Sequence, residues 1–298
     1  MRAVWSFWSK PHRAGRCQAW PSEFHHALAW SLSVQEASRH YSDTWLYTDD
    51  DGARLLVDDL RLPFAQIRTD LNALAEFDPG WWTLGKIYTS RLQTEPFMHV
   101  DADVFLWLPL PERLERADVF AQNPEPFTPG ASYYAPERIE RALASVKGWL
   151  PDEWTWYRSS HRMLRGECCG VFGGNRLDFI HHVANLAFEI IQRRANRAAL
   201  AALGDKVQLM LLLEQFLPAA CVEYHRVRLN SPFSGVTIAY LFDSGMNLFH
   251  PEHAARAGYT HLLSGTKRNP AVAKLLEERL RRDDPAQFER CRRVTRGR

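Results

Sequence analysis

Thr44-Trp45-Leu46-Tyr47-Thr48, followed at once by Asp49-Asp50-Asp51-Gly52, carries the reading of the fold. Its β-branched and aromatic residues spell a buried strand, and the acidic run with glycine spells a turn. Upstream, Phe24, Ala27, Leu28, Leu32 and Ala37 recur at spacings near three and four between Pro21 and His40. That pattern predicts an amphipathic helix capped by Ser22, with Glu23 in its first turn. Before it, Ala3-Val4-Trp5-Ser6-Phe7-Trp8 is apolar and aromatic and ends at Ser9-Lys10-Pro11, a first buried strand and its loop. Strand, helix, strand is the opening of a parallel sheet. The expected class is therefore α/β, a mostly parallel central sheet flanked by helices in a single Rossmann-like domain.

Further along, Leu55 to Val57 and Ala65 to Ile67 read as short strands, and Trp81 to Thr94 as a helix carrying Lys86 and Arg91. The proline-rich stretch from Asn123 to Pro136 looks like a long surface loop or lid before a helix at Pro136 to Val146. A glycine-punctuated strand, Gly166 to Asn175, precedes a long helix from Leu177 to about Leu203 and another from Asp205 to Phe216. A strand near Cys221 to Val227, a glycine-containing segment from Ala257 to Leu263 and a charged helix from Pro270 to about Arg282 complete the pass.

The chemistry concentrates in Phe97-Met98-His99-Val100-Asp101-Ala102-Asp103-Val104-Phe105-Leu106-Trp107. In an extended segment alternate side chains share a face, so Asp101 and Asp103 would reach one cation together. Such a pair suits a hard divalent metal holding a diphosphate, and equally suits a strand end whose acids cap a turn. In an α/β sheet, ligands bind beyond the carboxyl ends of the strands, where this pair is expected. Thr48 and Asp49 end the second strand, and Lys86 on the preceding helix offers a cation for phosphate. Far downstream, His261-Leu262-Leu263-Ser264-Gly265-Thr266-Lys267-Arg268 gathers an imidazole, a glycine and two cations. That cluster reads as an anion or metal site, with a structural histidine in a surface loop as the plainer alternative.

Taken together, Tyr47-Thr48-Asp49, the lysine-bearing helix, His99-Val100-Asp101-Ala102-Asp103, the glycine-rich strand and the terminal His-x-x-Ser-Gly-x-Lys resemble the GT-A superfamily of nucleotide-sugar glycosyltransferases. The likeness runs loosely over most of the chain and is closest to retaining members similar to bacterial galactosyltransferases and glycogenin. It implies a Mn2+ or Mg2+ cofactor on Asp101, Asp103 and His261. It also implies a nucleotide-diphosphate sugar contacted by Ser6, Trp8, Thr48, Asp49, Lys86, Asp101, Ala102, Asp103, Gly265 and Lys267. The family's His-x-x-Gly-x-x-Lys has its glycine one place earlier, whereas Lys267 keeps the family's distance from His261. Glu167-Cys168-Cys169-Gly170-Val171-Phe172-Gly173-Gly174 is similar to a strand of the blood-group transferases whose first position contacts the acceptor sugar, which would place Glu167 there. A catalytic acid is implied at Glu167, Asp205 or Glu214, and spacing leaves all three open. Residues 1–110 would then form the nucleotide-sugar half, 111–265 the acceptor half, and 266–298 a C-terminal helix and basic tail. The acceptor would be a glycan, a lipid-linked molecule or another hydroxyl compound. Trp81, Trp82, Trp154 and Trp156 would either stack on sugar or base or serve the core.

Composition narrows the rest. With 298 residues, 46% of them hydrophobic, the chain can bury an ordinary core, and a net charge of +2 gives no general pull toward nucleic acid. Arg290, Arg292, Arg293, Arg296 and Arg298 make a locally basic end, read as a frayed, solvated tail that also offers peripheral contact to a membrane surface. Five cysteines, Cys17, Cys168, Cys169, Cys221 and Cys291, show no metal or disulfide spacing and are expected to pack. The apolar start is too short for a signal segment, no run is long enough to span a bilayer, and a cytoplasmic protein is expected.

Two other readings compete. Asp101-Ala102-Asp103-Val104 also fits the nucleophile signature of haloacid-dehalogenase-like phosphatases. That family places its signature on the first strand and has a later Gly-Asp-Gly-x-x-Asp, for which Phe242-Asp243-Ser244-Gly245 is a poor substitute. The non-enzymatic reading is a nucleotide-sugar-binding protein of the same fold without turnover.

Overall fold

The computed structural model describes residues 1–15, 19–130, 134–204 and 206–296. Among the described residues nine strands form: β1 (Arg2–Phe7), β2 (Thr44–Thr48), β3 (Gln66–Arg68), β4 (Phe97–Val100), β5 (Val104–Leu106), β6 (Val119–Phe127), β7 (Leu164–Gly174), β8 (Ile238–Tyr240) and β9 (Tyr259–His261). Seven of them make the central sheet, in the order β3-β2-β1-β4-β7-β6-β8, while β5 and β9 pair antiparallel beside it. Within the large sheet every strand but β7 runs the same way. After β3 the chain returns past β2 and β1 to lay β4 on the far side of β1. The order of addition therefore reverses between β1 and β4, and in α/β sheets such a reversal is where ligands bind beyond the carboxyl ends of the strands.

Period-two alternation splits the core between the two faces of the sheet. From β1, Ala3, Trp5 and Phe7 join one core, with α1 (Glu23–Ser38), α6 (Pro270–Asp283) and α7 (Pro285–Thr295). Val4 joins the other, with α2 (Leu84–Arg91), α3 (Asp152–Ser160), α4 (Leu177–Gln192) and α5 (Leu217–Arg226). Close packing leaves little slack between β4 and β7: a Cβ on Gly173 would lie 1.9 Å from the Phe97 carbonyl oxygen. Trp81 and Trp154 are buried and Trp82 and Trp156 pack against the same core, so all four serve packing. Among the described residues, no helix is long and apolar enough to cross a membrane.

Several local expectations change. Asp49 accepts a hydrogen bond from the Gly52 amide and so starts a helix, Asp50–Ala53, which continues as a π-helical segment through Leu55–Val57. Ser22 stands at the N-cap of α1, but its hydroxyl meets His25 Nδ1 at 2.8 Å. Asn123 to Phe127 extend β6 rather than forming a loop. The prolines there are tolerated because β8 pairs with β6 only from Val119 to Ala121, so Pro124 and Pro126 sit where one edge needs no amide donor. Residues 131–133 of the expected lid lie outside the described residues. The long helix after Leu177 breaks at Arg193, whose ψ of 126° is extended, before Arg194–Ala202 resumes. Cys221 to Arg226 are helical in α5, not a strand, because Pro218 occupies its first turn and the apolar positions face the α3 side. The basic tail is also helical through Thr295, Arg298 lying outside the described residues: Asp284 caps α7 at the Gln287 amide, and Phe288 and Cys291 are buried against α1.

Candidate functional site

Asp101, Ala102 and Asp103 occupy a tight turn between β4 and β5, not a continuous strand. The Val104 amide closes the turn onto the Asp101 carbonyl at 3.0 Å. Two outside contacts fix it: the Asp101 amide donates to the Gly170 carbonyl on β7, and the Leu262 amide donates to the Asp103 carbonyl, each at 3.0 Å. From below, the Ser33 hydroxyl of α1 donates to the Asp101 carbonyl at 3.2 Å. The two carboxylates thus converge because the chain turns, and alternation along a strand plays no part.

The turn also recruits His261. Because β5 pairs with β9, Val104 lies opposite His261, and the imidazole Nε2 stands 3.5 Å from Asp103 Oδ1. Gln122 sets its orientation. Its amide nitrogen donates to Asn123 Oδ1 at 2.8 Å, so its oxygen points back, accepting from Tyr259 Oη at 2.6 Å and meeting His261 Nδ1 at 2.7 Å. An acceptor at Nδ1 calls for a proton there and turns Nε2 toward the carboxylates as the ring nitrogen open to a cation. Gly170 makes room, since a Cβ there would lie 2.4 Å from Gln122 Oε1 and 2.5 Å from His261 Nδ1. One ligand atom each from Asp101, Asp103 and His261 lies within 4.8 Å of the others. Two carboxylates and a neutral imidazole are the donor set that manganese accepts well and magnesium more weakly, so the residues fit such an ion.

Lysines neutralise both acids. Buried Lys86 reaches Asp101 Oδ1 at 2.7 Å and Glu214 Oε1 at 2.9 Å, and also donates to the Cys169 carbonyl. Burial alone would strip its proton, but Asp101 and Glu214 outweigh that and hold its pKa above the ordinary lysine value. Lys267 makes an ion pair with Asp103. Burial pushes Asp103 upward, yet Lys267 and His261 prevail and keep it well below the usual carboxylate range. Asp101 and Glu214 move up instead, driven first by burial with Lys86 opposing; Asp103 adds to the rise of Asp101, and Asp101 to that of Glu214. Glu214 enters this cluster from a π-helical turn, Leu212–Phe216, a geometry that re-aims one side chain within a helical run. Behind Lys86 and Glu214 lies a cavity of about 30 Å³, room for a water or two and no sugar.

The remaining expected residues divide. Ser6 touches the site through His99, whose Nε2 is 2.8 Å from Ser6 Oγ. His99 Nδ1 is buried with no hydrogen-bond partner and lies 3.5 Å from Asp101 Oδ1, and burial, then Lys86, holds its pKa well below 6.5. Trp8 is buried against Gly85 at the start of α2. Thr48 is fully buried and donates to the Phe7 carbonyl at 2.7 Å. Asp49 has both oxygens engaged, one by Ser9 and the other by the Gly52 amide. Ala102 is half-buried in the turn, and Gly265 has open space around it in the short 3-10 helix that carries Lys267. Glu167 belongs to a different network, paired with Arg165, which also binds Glu223. Burial raises its pKa, and Arg165 opposes the rise. Asp205 lies outside the described residues.

A family model described as "Family of unknown function (DUF6734)" matches residues 1–294. The chain belongs to this family. No match is found among curated proteins. Of two further residues that hold the site together in this DUF6734 chain, Gln122 carries no motif, and Gly170 stands in the glycine-punctuated strand with no local sign of its contact to His261. His99 does carry a signal, since it stands two places before Asp101. Chemically, the site combines a carboxylate pair, an imidazole and two ammonium groups at the carboxyl end of β4. That combination suits a cation together with a polyanion.

Proposed function

We propose that this chain is a metal-dependent glycosyltransferase, moving a sugar from a nucleotide-diphosphate donor to a hydroxyl acceptor. The observation that carries the reading is the convergence of Asp101, Asp103 and His261 at the strand-order switch, with Lys86 and Lys267 on the two acids. Those three side chains would hold the manganese or magnesium ion. When bound, the ion would offset diphosphate charge and make the nucleotide a better leaving group. Lys267, released from Asp103 by the cation, would meet phosphate oxygens. Lys86 keeps Asp101 ionised, and Glu214 positions Lys86. Glu214, Glu167 and Asp205 remain the carboxylates proposed for acceptor chemistry, with Glu214 joined to the cluster through Lys86.

The acceptor is proposed to be a glycan, a lipid-linked molecule or another hydroxyl compound, with no role for nucleic acid. Cytoplasmic location is part of the same proposal, supported by Cys168, Cys169, Cys221 and Cys291 being free and buried. Peripheral membrane contact through α7 would use its exposed arginines, since its apolar face is already packed. The phosphatase reading finds less support, because Asp101 follows the fourth strand rather than the first.

Calorimetry with a panel of UDP- and GDP-linked sugars tests the proposal. Binding is expected only with manganese or magnesium, and binding that ignores the metal, or none to any donor, overturns it. Phosphomonoester hydrolysis abolished by Asp101→Asn would install the phosphatase instead, and donor binding without transfer to any of a broad set of acceptors would leave a binding protein.

A further inference from the structure

A second convergence of ligand atoms lies in the helical layer. Glu153 on α3, His182 on α4 and His225 on α5 come from three separate helices, yet one ligand atom of each lies within 4.8 Å of the others. His182 Nε2 is 2.9 Å from Glu153 Oε1, His225 Nε2 is 3.4 Å from the same oxygen, and the two Nε2 atoms are 3.4 Å apart. We infer that these three side chains form a transition-metal site of the zinc class, independent of the Asp101 cleft and of any activity there.

The distances carry the argument. Tetrahedral zinc with bonds near 2.0–2.1 Å has ligand-to-ligand edges of about 3.3 Å. The three separations trace one face of such a tetrahedron, with the edge made by the direct His182–Glu153 hydrogen bond somewhat short. Both imidazoles present the same ring nitrogen to the same oxygen. For His225 the outer nitrogen is accounted for: Nδ1 lies 2.7 Å from Ser231 Oγ, and the Phe233 amide donates to that hydroxyl at 3.1 Å. An imidazole held at Nδ1 by Ser231 turns its Nε2 inward, the outer-shell arrangement that metal-binding histidines use.

The surroundings fit a bound cation that braces helices. Phe233 lies 5.0 Å from His182 and 5.1 Å from His225, ring to ring, a weakly polar wall that limits exchange with water. Glu153 and His225 are buried, while His182 is half-buried, which leaves the fourth vertex open to a water. Arg165 and Arg226 are paired with Glu223, and Arg158 on α3 with Glu140, rather than with Glu153. Among the described residues, the ion pairs of Glu153 are with the two imidazoles alone. Two imidazoles and one carboxylate form a donor set that favours zinc over magnesium or calcium.

The test uses the full chain, stripped with a chelator, then dialysed against Zn2+ and analysed for bound metal, with Co2+ as a spectroscopic substitute. One equivalent of zinc is expected, together with visible absorption bands of low-coordinate cobalt. Both should persist in Asp101→Asn/Asp103→Asn and fall at least tenfold in affinity in His182→Ala. Glu153→Gln, which keeps the side-chain shape, should behave like His182→Ala, and a thermal melt without metal shows whether each variant folds. Zinc stoichiometry and cobalt bands unchanged in His182→Ala would overturn the inference. So would their loss in Asp101→Asn/Asp103→Asn with retention in Glu153→Gln.

Discussion

Of the three histidine–carboxylate clusters among the described residues, the one at the β4 turn and the one in the helical layer differ most in their counter-charges, while the third, His12, Glu23 and His26, stands outside this contrast. At the β4 turn, Asp101 and Asp103 are each matched by a lysine, whereas Glu153 faces only imidazoles among its described ion-pair partners. A cation entering the first cluster must displace Lys267 from Asp103, and the displaced ammonium then needs an anion. That coupling suits a metal that arrives with a diphosphate. A divalent ion entering the second cluster has no described ammonium to displace from Glu153. The scaffolds differ likewise: the first is assembled by a turn and two short strands, the second by faces of α3, α4 and α5 already fixed by packing.

The harshest way to break this contrast is to remove both turn acids. Asp101→Asn/Asp103→Asn should lower turnover in the proposed transferase reaction by roughly 10²–10³-fold, the scale of losing a main electrostatic element of a site. Donor binding measured by calorimetry should lose its manganese dependence, while zinc content stays unchanged. Next is Gly170→Val, which drives a side chain into Gln122 and His261. It should weaken manganese binding by about 10–100-fold and cost about 1–3 kcal/mol of stability, read by titration and by urea unfolding. Smaller still are the orienting groups. Gln122→Leu should loosen manganese, and Ser231→Ala should loosen zinc, each by roughly tenfold. Any cross-effect between them would mean that the clusters are not independent.

The shallowest effect is in pH. Burial, then Lys86, keeps His99 neutral in the folded chain, with a pKa well below 6.5. As pH falls below 6.5, the unfolded chain takes up a proton that the folded one refuses, so stability declines with acidification by up to about 1.4 kcal/mol per pH unit. His99→Gln should flatten that slope in urea titrations from pH 7 to pH 5, and a slope unchanged by the substitution would refute the assignment. Glu153 offers the contrast. Burial opposes its ionisation, but His182 and His225 win and hold it below the usual carboxylate range. Its contribution is present at neutral pH and is lost only as pH falls through and below that range.

Legibility from sequence followed the range of the interactions. β1, α1, β2 and the acidic pair were readable because alternation, helical spacing and turn residues act over a few neighbours. Errors arose where a distant partner decided the outcome. Pro124 and Pro126 look like loop residues until the edge of β6 is seen to lack a neighbour. The segment from Cys221 becomes helical against α3, and the arginine-rich tail helical against α1. Thr48 and Asp49 stand where the motif places them, but their polar atoms bind Phe7, Ser9 and Gly52.

By itself the sequence determined the class of fold and named Asp101, Asp103, His261, Lys86 and Lys267, because hydrophobic period and clustered charge are local properties of a chain. Tertiary structure alone decided how these groups meet. The turn at Ala102, the β5–β9 pairing that carries His261 across, the Gln122 amide that sets its tautomer, and the meeting of Glu153, His182 and His225 all depend on segments far apart in sequence. Such contacts form only once the sheet and its helices have packed, and no short stretch of the chain encodes them.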